Sequence, residues 1–145
     1  MTNATMRKFG FPGSAVAEIG AWSVLARPKQ PTLGSLVLVC REQATAFSDL
    51  SPAAFADLRD AVAGAERTLR NFVNYERINY LMLMMVDPDV HFHVIPRYEG
   101  DRSFGGVSFA DAGWPGPPAI GGGVDLSDEA LAALTAELKT HWNAV

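Results

Sequence analysis

Apolar residues recur along the chain with two different periods, and these periods predict the elements of the fold. Residues 16–19 and 22–26 form two short runs separated by a bend at Gly20, and residues 35–40 form a continuous apolar run. Runs of this length and composition predict strands, the third of them buried. Residues 27–34 contain two prolines and a glycine, which predicts a loop between the second and third strands.

The clearest helical signal begins at residue 51. Ser51 can cap the first turn, and Pro52 fits the first helical position. Beyond them, apolar side chains recur at intervals of three and four positions: Phe55, Leu58, Val62, Ala65, Leu69 and Phe72. That spacing gives one apolar stripe, so we expect this long helix to pack on a sheet.

Two further strands are predicted on either side of a short interruption. Residues 78–86 are apolar except for Asn79, which indicates a strand with both faces covered. This assignment places three methionines in the core: Met82, Met84 and Met85. Residues 90–95 alternate between apolar and polar, and the short link between the two runs predicts an antiparallel hairpin.

The two ends of the chain and its longest loop complete the predicted organisation. Residues 1–13 are expected to form a loosely held N-terminal arm, and residues 99–123 a long loop rich in glycine and proline. A C-terminal helix is predicted over residues 127–143. The order β-β-β-α-β-β-loop-α predicts an α+β fold with a mostly antiparallel sheet of about five strands. One domain then spans residues 1–145.

Composition and charge narrow the classes of function. The 145 residues are 48% hydrophobic and 19% charged, with a net charge of −4. Proteins that bind nucleic acid regardless of its sequence usually have a basic surface, so we expect no nucleic-acid partner. No apolar stretch is long enough to span a bilayer, and residues 1–20 lack the apolar segment of a secretory signal. With Cys40 as the lone cysteine, these features predict a cytoplasmic protein without a membrane partner.

The candidate chemistry lies in residues 89–97. Alternate side chains of a strand share a face, so Asp89, His91 and His93 are expected on one side of the sheet. A neutral imidazole can attack an electrophilic phosphorus, while a second imidazole and Arg97 can stabilise the phosphoryl oxygens. From the residues alone, three interpretations stay open: a polar strand face, a nucleophilic active site, or a metal site built on the carboxylate and the two imidazoles.

The run His91-Phe92-His93-Val94-Ile95-Pro96-Arg97 resembles the second half of the histidine triad (HIT) signature, three alternating histidines followed by a hydrophobic-Pro-Arg tail. Upstream, residues 25–40 resemble the strand-loop-strand that precedes the first helix of that family, and residues 47–52 resemble the start of the helix itself. The resemblance extends over residues 22–98 and points to the dinucleoside polyphosphate hydrolase (fragile-histidine-triad-like) branch.

This resemblance implies a nucleotide hydrolase or nucleotidyl transferase that acts at the α-phosphate of a dinucleoside polyphosphate or an AMP conjugate. His91 falls on the nucleophile of the family, which forms a covalent nucleotidyl-histidine. His93 falls on the last histidine, which stabilises the transferring group. The resemblance also implies a small-molecule nucleotide as partner, a homodimer, and no metal or other cofactor.

Several positions depart from the family pattern. Asp89 stands where the first histidine would be, Ala26 where an asparagine often contacts ribose, and Ser35 where a further histidine is common. Residues 86–88 shorten a loop that holds phosphates in the fragile-histidine-triad branch. These departures leave open a catalytically weak nucleotide-binding module as the alternative to a hydrolase, with a metal-dependent hydrolase as a third possibility.

The predicted site therefore has three kinds of residue. His91 and His93 are the catalytic pair, and Asp89 is the supporting group that orients an imidazole. The candidate substrate-binding residues are Arg97, Ser35 and Arg27. Residues 114–118, a rigid apolar stretch of the long loop, are candidates for covering a base, contacting a partner subunit or packing on their own domain.

Overall fold

The structure is a computed structural model and describes residues 2–144 of the chain. This part contains helices α1 (Ala4–Lys8), α2 (Pro52–Val73) and α3 (Asp128–Asn143), with a 3-10 turn at Phe47–Asp49. Its strands are β1 (Ala15–Ile19), β2 (Trp22–Ala26), β3 (Lys29–Gln30), β4 (Leu36–Cys40), β5 (Arg77–Leu81), β6 (His91–Arg97), β7 (Arg102–Phe104), β8 (Val107–Phe109) and β9 (Val124–Asp125). None of the helices in residues 2–144 is both long and apolar enough to cross a membrane.

Five strands form one antiparallel sheet in the order β1-β2-β4-β6-β5. The predicted α+β fold, with its mostly antiparallel sheet, long helix and C-terminal helix, is confirmed. β5 and β6 pair antiparallel as expected, with Leu81 opposite His93. β6 lies between β4 and β5, so its side chains are flanked by neighbours on both sides.

Helices α2 and α3 cover one face of the sheet and enclose the main core. Ser51 caps α2 by accepting a hydrogen bond from the Ala54 amide at 3.0 Å, as its sequence signature predicts. The stripe side chain Leu69 belongs to the same core cluster as Leu38 and Val94 of the sheet, and all three are fully buried. Burying an aliphatic side chain of this size contributes about 2 kcal/mol, so Leu69 and its stripe neighbours stabilise the docking of α2. Phe55, at the start of the predicted stripe, is 43% exposed, so the stripe is one residue shorter than expected.

The opposite face is partly covered by the N-terminal segment, which corrects the prediction of a loosely held arm. Met6 of α1 is only 1% exposed, and it packs with Phe9 against Leu25, Val37 and Val39 of the sheet. The segment is held because its few apolar side chains reach an uncovered apolar patch of the sheet. Residues 1–13 show no periodicity from which this packing could be inferred.

The strand predicted over residues 78–86 is too long, because β5 ends at Leu81. The chain then leaves the sheet, and Met85 and Val86 are 84% and 81% exposed, so the prediction of a core position is wrong for Met85. Met82 and Met84 are partly buried against the core. Met84 has a left-handed backbone, with φ of 53°, which does not continue an extended strand.

The long loop predicted over residues 99–123 contains regular structure. β7 and β8 form a hairpin whose two turn residues, Gly105 and Gly106, both have positive φ values, 59° and 78°. Glycine adopts this backbone without steric cost, which explains the Gly-Gly pair. Beyond the loop, Ser127 caps α3 by accepting from the Ala130 amide at 3.1 Å.

Candidate functional site

β6 carries two histidines on the sheet face that α1 partly covers. His91 and His93 lie opposite Val39 and Val37 of β4 and therefore share a face with those valines. Both histidines are buried, at 2% and 7% exposed, and their ring centroids are 5.2 Å apart. The structure thus brings the two predicted catalytic residues together on one face.

A cavity of about 220 Å³ lies beside the two imidazoles. Its walls come from α1 and the residue after it, from the loop after β2, and from the loop before β6. The lining side chains are Lys8, Phe9, Arg27, Leu83, Met84, Met85, Val86, Asp87, His91 and His93. The cavity therefore combines two imidazoles and two cations with an apolar wall.

The ring of His91 is held by a backbone carbonyl. Its Nδ1 lies 2.7 Å from the carbonyl oxygen of Asp89. A carbonyl oxygen only accepts hydrogen bonds, so Nδ1 must carry the proton. In the neutral ring the lone pair is then on Nε2, which is the state a nucleophilic histidine requires.

His93 is a neutral imidazole at pH 7. Burial, assisted by the positive charge of Arg27, lowers the pKa of His93 to about 4. Its Nδ1 is buried and has no hydrogen-bond partner among residues 2–144. His93 therefore offers one N–H donor and one lone pair rather than a positive charge.

Arg27 brings a guanidinium to the same cavity. Its Nη1 donates to the Ile120 carbonyl at 3.0 Å, while its buried Nε has no partner in the described part of the chain. Burial lowers the pKa of Arg27, but an arginine remains protonated at physiological pH. This predicted substrate-binding residue is thus near both histidines.

Asp89 contacts His91 through its backbone, whereas its side chain points to α1. The carboxylate Oδ2 accepts hydrogen bonds from the Thr5 hydroxyl at 2.8 Å and from the Thr5 amide at 3.2 Å. The expectation that the Asp89 carboxylate orients an imidazole is therefore wrong, because this carboxylate bonds to Thr5. The carbonyl of Asp89 makes that contact instead.

Arg97 and Ser35 lie outside the cavity that contains the histidines. Arg97 is 4% exposed and forms an ion pair with Asp111, at 2.7 Å from Nε to Oδ2. Ser35 is fully buried in a turn, where its hydroxyl donates to the Thr32 carbonyl at 2.8 Å. Both side chains are engaged within the fold, so the prediction that they bind substrate is not supported by their positions.

The apolar stretch 114–118 lines a different and larger cavity. This groove of about 760 Å³ runs along β5 and includes Arg97, but neither histidine lines it. The Gly116 carbonyl accepts a hydrogen bond from Arg97 at 2.8 Å, which fastens the stretch to β6. Packing on its own domain, one of the three roles considered for this stretch, is therefore observed.

Sequence reasoning missed the contribution of the N-terminal segment to the site. Phe9 packs against both imidazoles, with ring centroids 6.2 Å from His91 and 5.8 Å from His93. Lys8 forms an ion pair of 2.9 Å with Asp87 in the loop before β6. These contacts join residues about 80 positions apart, so no local pattern could have revealed them.

The geometry does not support the metal-site interpretation. Within residues 2–144, no three His, Cys, Asp or Glu side chains converge in a way that could hold a metal ion. The reason is local, because the Asp89 carboxylate is turned toward Thr5. Asp89, His91 and His93 therefore do not form a three-ligand set.

Comparison with known sequences and structures gives consistent results. The sequence profile of the HIT domain matches residues 21–100, which is more than half of the chain. No curated protein sequence matches this chain.

Solved structures of histidine triad proteins share the fold. One from Bradyrhizobium japonicum has a TM-score of 0.72 at 19% identity, with 97% of this chain and 96% of that chain covered. One from Sinorhizobium meliloti has a TM-score of 0.74 at 20% identity and the same coverages, 97% and 96%. A diadenosine triphosphate hydrolase from Plasmodium falciparum is more distant, with a TM-score of 0.64, 13% identity, and coverages of 91% and 78%.

Proposed function

Because the chain belongs to the histidine triad (HIT) family, we propose that it is a nucleotide hydrolase or nucleotidyl transferase acting at an α-phosphate. Its substrate is a dinucleoside polyphosphate or an AMP conjugate, and the reaction passes through a covalent nucleotidyl-histidine at His91. Proteins of this family bind nucleotides. The single observation that carries the proposal is the hydrogen bond from His91 Nδ1 to the Asp89 carbonyl, because it leaves the lone pair on Nε2.

The first step transfers the nucleotidyl group to the protein. Nε2 of His91 attacks the α-phosphorus, an Nε2–P bond forms, and the P–O bond to the leaving group breaks. The bonding electrons leave with the oxygen of the released phosphate or nucleotide. The imidazole becomes positively charged, and the Nδ1–H bond to the Asp89 carbonyl stabilises that charge.

The second step releases the product. Water attacks the same phosphorus, the Nε2–P bond breaks, and its electron pair returns to His91. The extra proton of the water passes to solvent, and a nucleoside monophosphate is released. In both steps Arg27 supplies positive charge beside the cavity, and His93 supplies an N–H donor for the phosphoryl oxygens.

The alternative function is a nucleotide-binding module with little turnover. The observation that favours it is the replacement of the first triad histidine by Asp89, whose carboxylate bonds to α1 rather than to His91. Such a module has the same cavity and binds the same nucleotides, but it releases no product.

We also propose that the protein forms a homodimer, as the family resemblance implies. Within the described residues, β5 is an edge strand that pairs with β6 alone, so its outer backbone groups are available for pairing. Light scattering coupled to size-exclusion chromatography tests this proposal. A monomer mass across the accessible concentration range would contradict it.

Product analysis tests the proposed activity. The wild type, His91→Ala and His91→Gly are incubated with diadenosine polyphosphates and AMP conjugates, and released AMP is measured. We expect release by the wild type and its loss in both variants. His141→Ala is the matched control, because His141 lies on α3 and bonds to Glu137 away from the cavity.

If the wild type binds AMP but releases none from any substrate, the hydrolase proposal fails and the binding module remains. Activity removed by a chelator and restored by a divalent ion would instead favour the metal-dependent alternative.

A further inference from the structure

The N-terminal segment is tied to the catalytic strand through one buried threonine. Thr5 of α1 is 1% exposed, so its hydroxyl does not exchange its partners freely with water. That hydroxyl donates to Asp89 Oδ2 at 2.8 Å and accepts from the Asp89 amide at 3.3 Å. The Thr5 amide donates to the same carboxylate oxygen at 3.2 Å. The two residues are thus joined by three hydrogen bonds that involve both the side chain and the backbone of Asp89.

The backbone of Asp89 is also the group that holds the ring of His91. Its carbonyl oxygen accepts the Nδ1 proton of His91 at 2.7 Å. A continuous chain of hydrogen bonds therefore runs from Thr5 through Asp89 to His91. The Asp89 carbonyl shares a peptide unit with the Val90 amide, which donates to the Ala44 carbonyl at 3.1 Å. Thr5 holds the other side of the same residue, through the Asp89 amide and carboxylate, so Thr5 and Ala44 together limit how the acceptor of His91 can turn.

The position of Thr5 is itself fixed on both sides. Asn3 caps α1 by accepting from the Met6 amide at 2.9 Å, and its Nδ2 donates to the Cys40 carbonyl of β4 at 2.9 Å. Met6 is buried in the cluster on this face of the sheet. The segment that carries Thr5 is therefore anchored independently of the loop that carries Asp89, which is the condition for one to position the other.

We propose that Thr5 is a positioning residue for His91, acting through Asp89 to set which ring nitrogen of the nucleophile carries the proton. This inference rests on the proposed function for its catalytic consequence, although its structural part does not need turnover. It also gives Asp89 a role that a histidine at this position would not fill in the same way, because the aspartate carboxylate accepts both Thr5 donors at one oxygen.

The test compares Thr5→Val, which keeps the shape but removes the hydroxyl, with Thr5→Ser, which restores it. Arg7→Ala is the control on the same helix, because the Arg7 side chain is exposed and donates to the Thr2 carbonyl rather than to Asp89. Three quantities are measured for each: the single-turnover rate of nucleotidyl transfer, the Kd for AMP, and the protonated ring nitrogen of His91 by ¹⁵N NMR at pH 7.

We expect Thr5→Val to lower the transfer rate about tenfold while the Kd for AMP changes less than about twofold. Its His91 should be a mixture of Nδ1–H and Nε2–H forms, whereas the wild type and Thr5→Ser should be protonated on Nδ1. The serine variant should recover most of the rate, and Arg7→Ala should match the wild type. If Thr5→Val does not fold, as judged by its thermal melt, Thr5→Ala replaces it because it only removes atoms.

Two results would overturn the inference. One is a Thr5→Val protein with wild-type rate and wild-type protonation of His91. The other is an equal loss of rate and of AMP affinity that serine does not restore, which would mean that Thr5 is needed only for the fold. If the wild type shows no turnover, the proposed function fails separately, and the NMR comparison alone decides the positioning role.

Discussion

The two ends of β6 carry polar side chains on the same face of the sheet, but their surroundings differ. At the C-terminal end, three nitrogens of Arg97 are paired: Nε and Nη2 with Asp111 at 2.7 and 3.1 Å, and Nη1 with Asn79 at 2.8 Å. Near the N-terminal end, Nδ1 of His93 and Nε of Arg27, which lies in the loop after β2, are buried without a partner in residues 2–144. One end is satisfied within the fold, and the other is not.

This difference separates the two roles within one sequence motif. A buried polar group without a hydrogen-bond partner costs about 1–3 kcal/mol, so folds seldom retain one without a reason. A phosphate brings several acceptor oxygens, and these would satisfy N–H donors such as Arg27 Nε. The proposed chemistry therefore lies at the histidine end of β6, whereas the arginine end pairs within the fold.

The largest expected effect is on the free energy of unfolding and comes from the arginine end of β6. Arg97→Ala leaves the buried Asp111 carboxylate without its ion-pair partner, and breaking such a pair costs about 4 kcal/mol. Urea unfolding measures this change. Arg59→Ala is the control, because the Arg59–Asp60 pair is exposed and its loss should cost less than about 0.5 kcal/mol. If Arg97→Ala unfolds like the wild type but loses activity, Arg97 has a role in catalysis rather than in stability.

An intermediate effect is expected at the histidine end of β6, where the titration of His93 makes the free energy of unfolding depend on pH. The pKa of His93 is about 4 in the folded protein, below the ordinary value of 6.5, so the unfolded chain takes up a proton first as the pH falls. Proton binding stabilises the unfolded state, and the free energy of unfolding should decline as the pH falls from 6.5 toward 4. At pH 7 and above this contribution is constant.

His93→Asn provides the reference for that measurement, because asparagine does not titrate. The stability advantage of the wild type over this variant should shrink between pH 6.5 and pH 4.5. An advantage that stays constant over this range would mean that His93 is not buried as a neutral base, and the contrast between the two ends of β6 would weaken.

The smallest effect is expected at the exposed edge of the cavity. Met85 is 84% exposed, so Met85→Ala should change the free energy of unfolding by less than about 0.5 kcal/mol. Met6 is the matched control, because the same substitution at a residue that is 1% exposed should cost about 3 kcal/mol. Similar costs at both positions would contradict the exposed loop before β6.

Local patterns were sufficient to predict those parts of the fold that are stabilised by local or periodic features. The capped start of α2, its apolar stripe and the alternation in β6 were all readable, because cap geometry and burial impose them on neighbouring residues. The end of β5 could not be predicted from the sequence. Its apolar run continues past Leu81, and the left-handed backbone of Met84 leaves no signal in the pattern of apolar residues.

The site divides in the same way. The shared face of His91 and His93 follows from strand periodicity, and the candidate loop cation Arg27 lines the cavity. The pairing of Arg97 with Asp111 and the contact between Thr5 and Asp89 join residues that are distant in sequence. Neither pair leaves a local signal, so strand periodicity does not show that Arg97 pairs with Asp111 or that the Asp89 carboxylate turns to Thr5.

Locating the covalent intermediate tests the proposed nucleophilic role of His91. The protein is mixed with a diadenosine polyphosphate, quenched in base to preserve a phosphorus–nitrogen bond, digested, and analysed by mass spectrometry. We expect an adenylyl group on His91 of the wild type and none in His91→Gly. Adenylyl groups on His93, or AMP release by a wild type that never carries the group on His91, would contradict it.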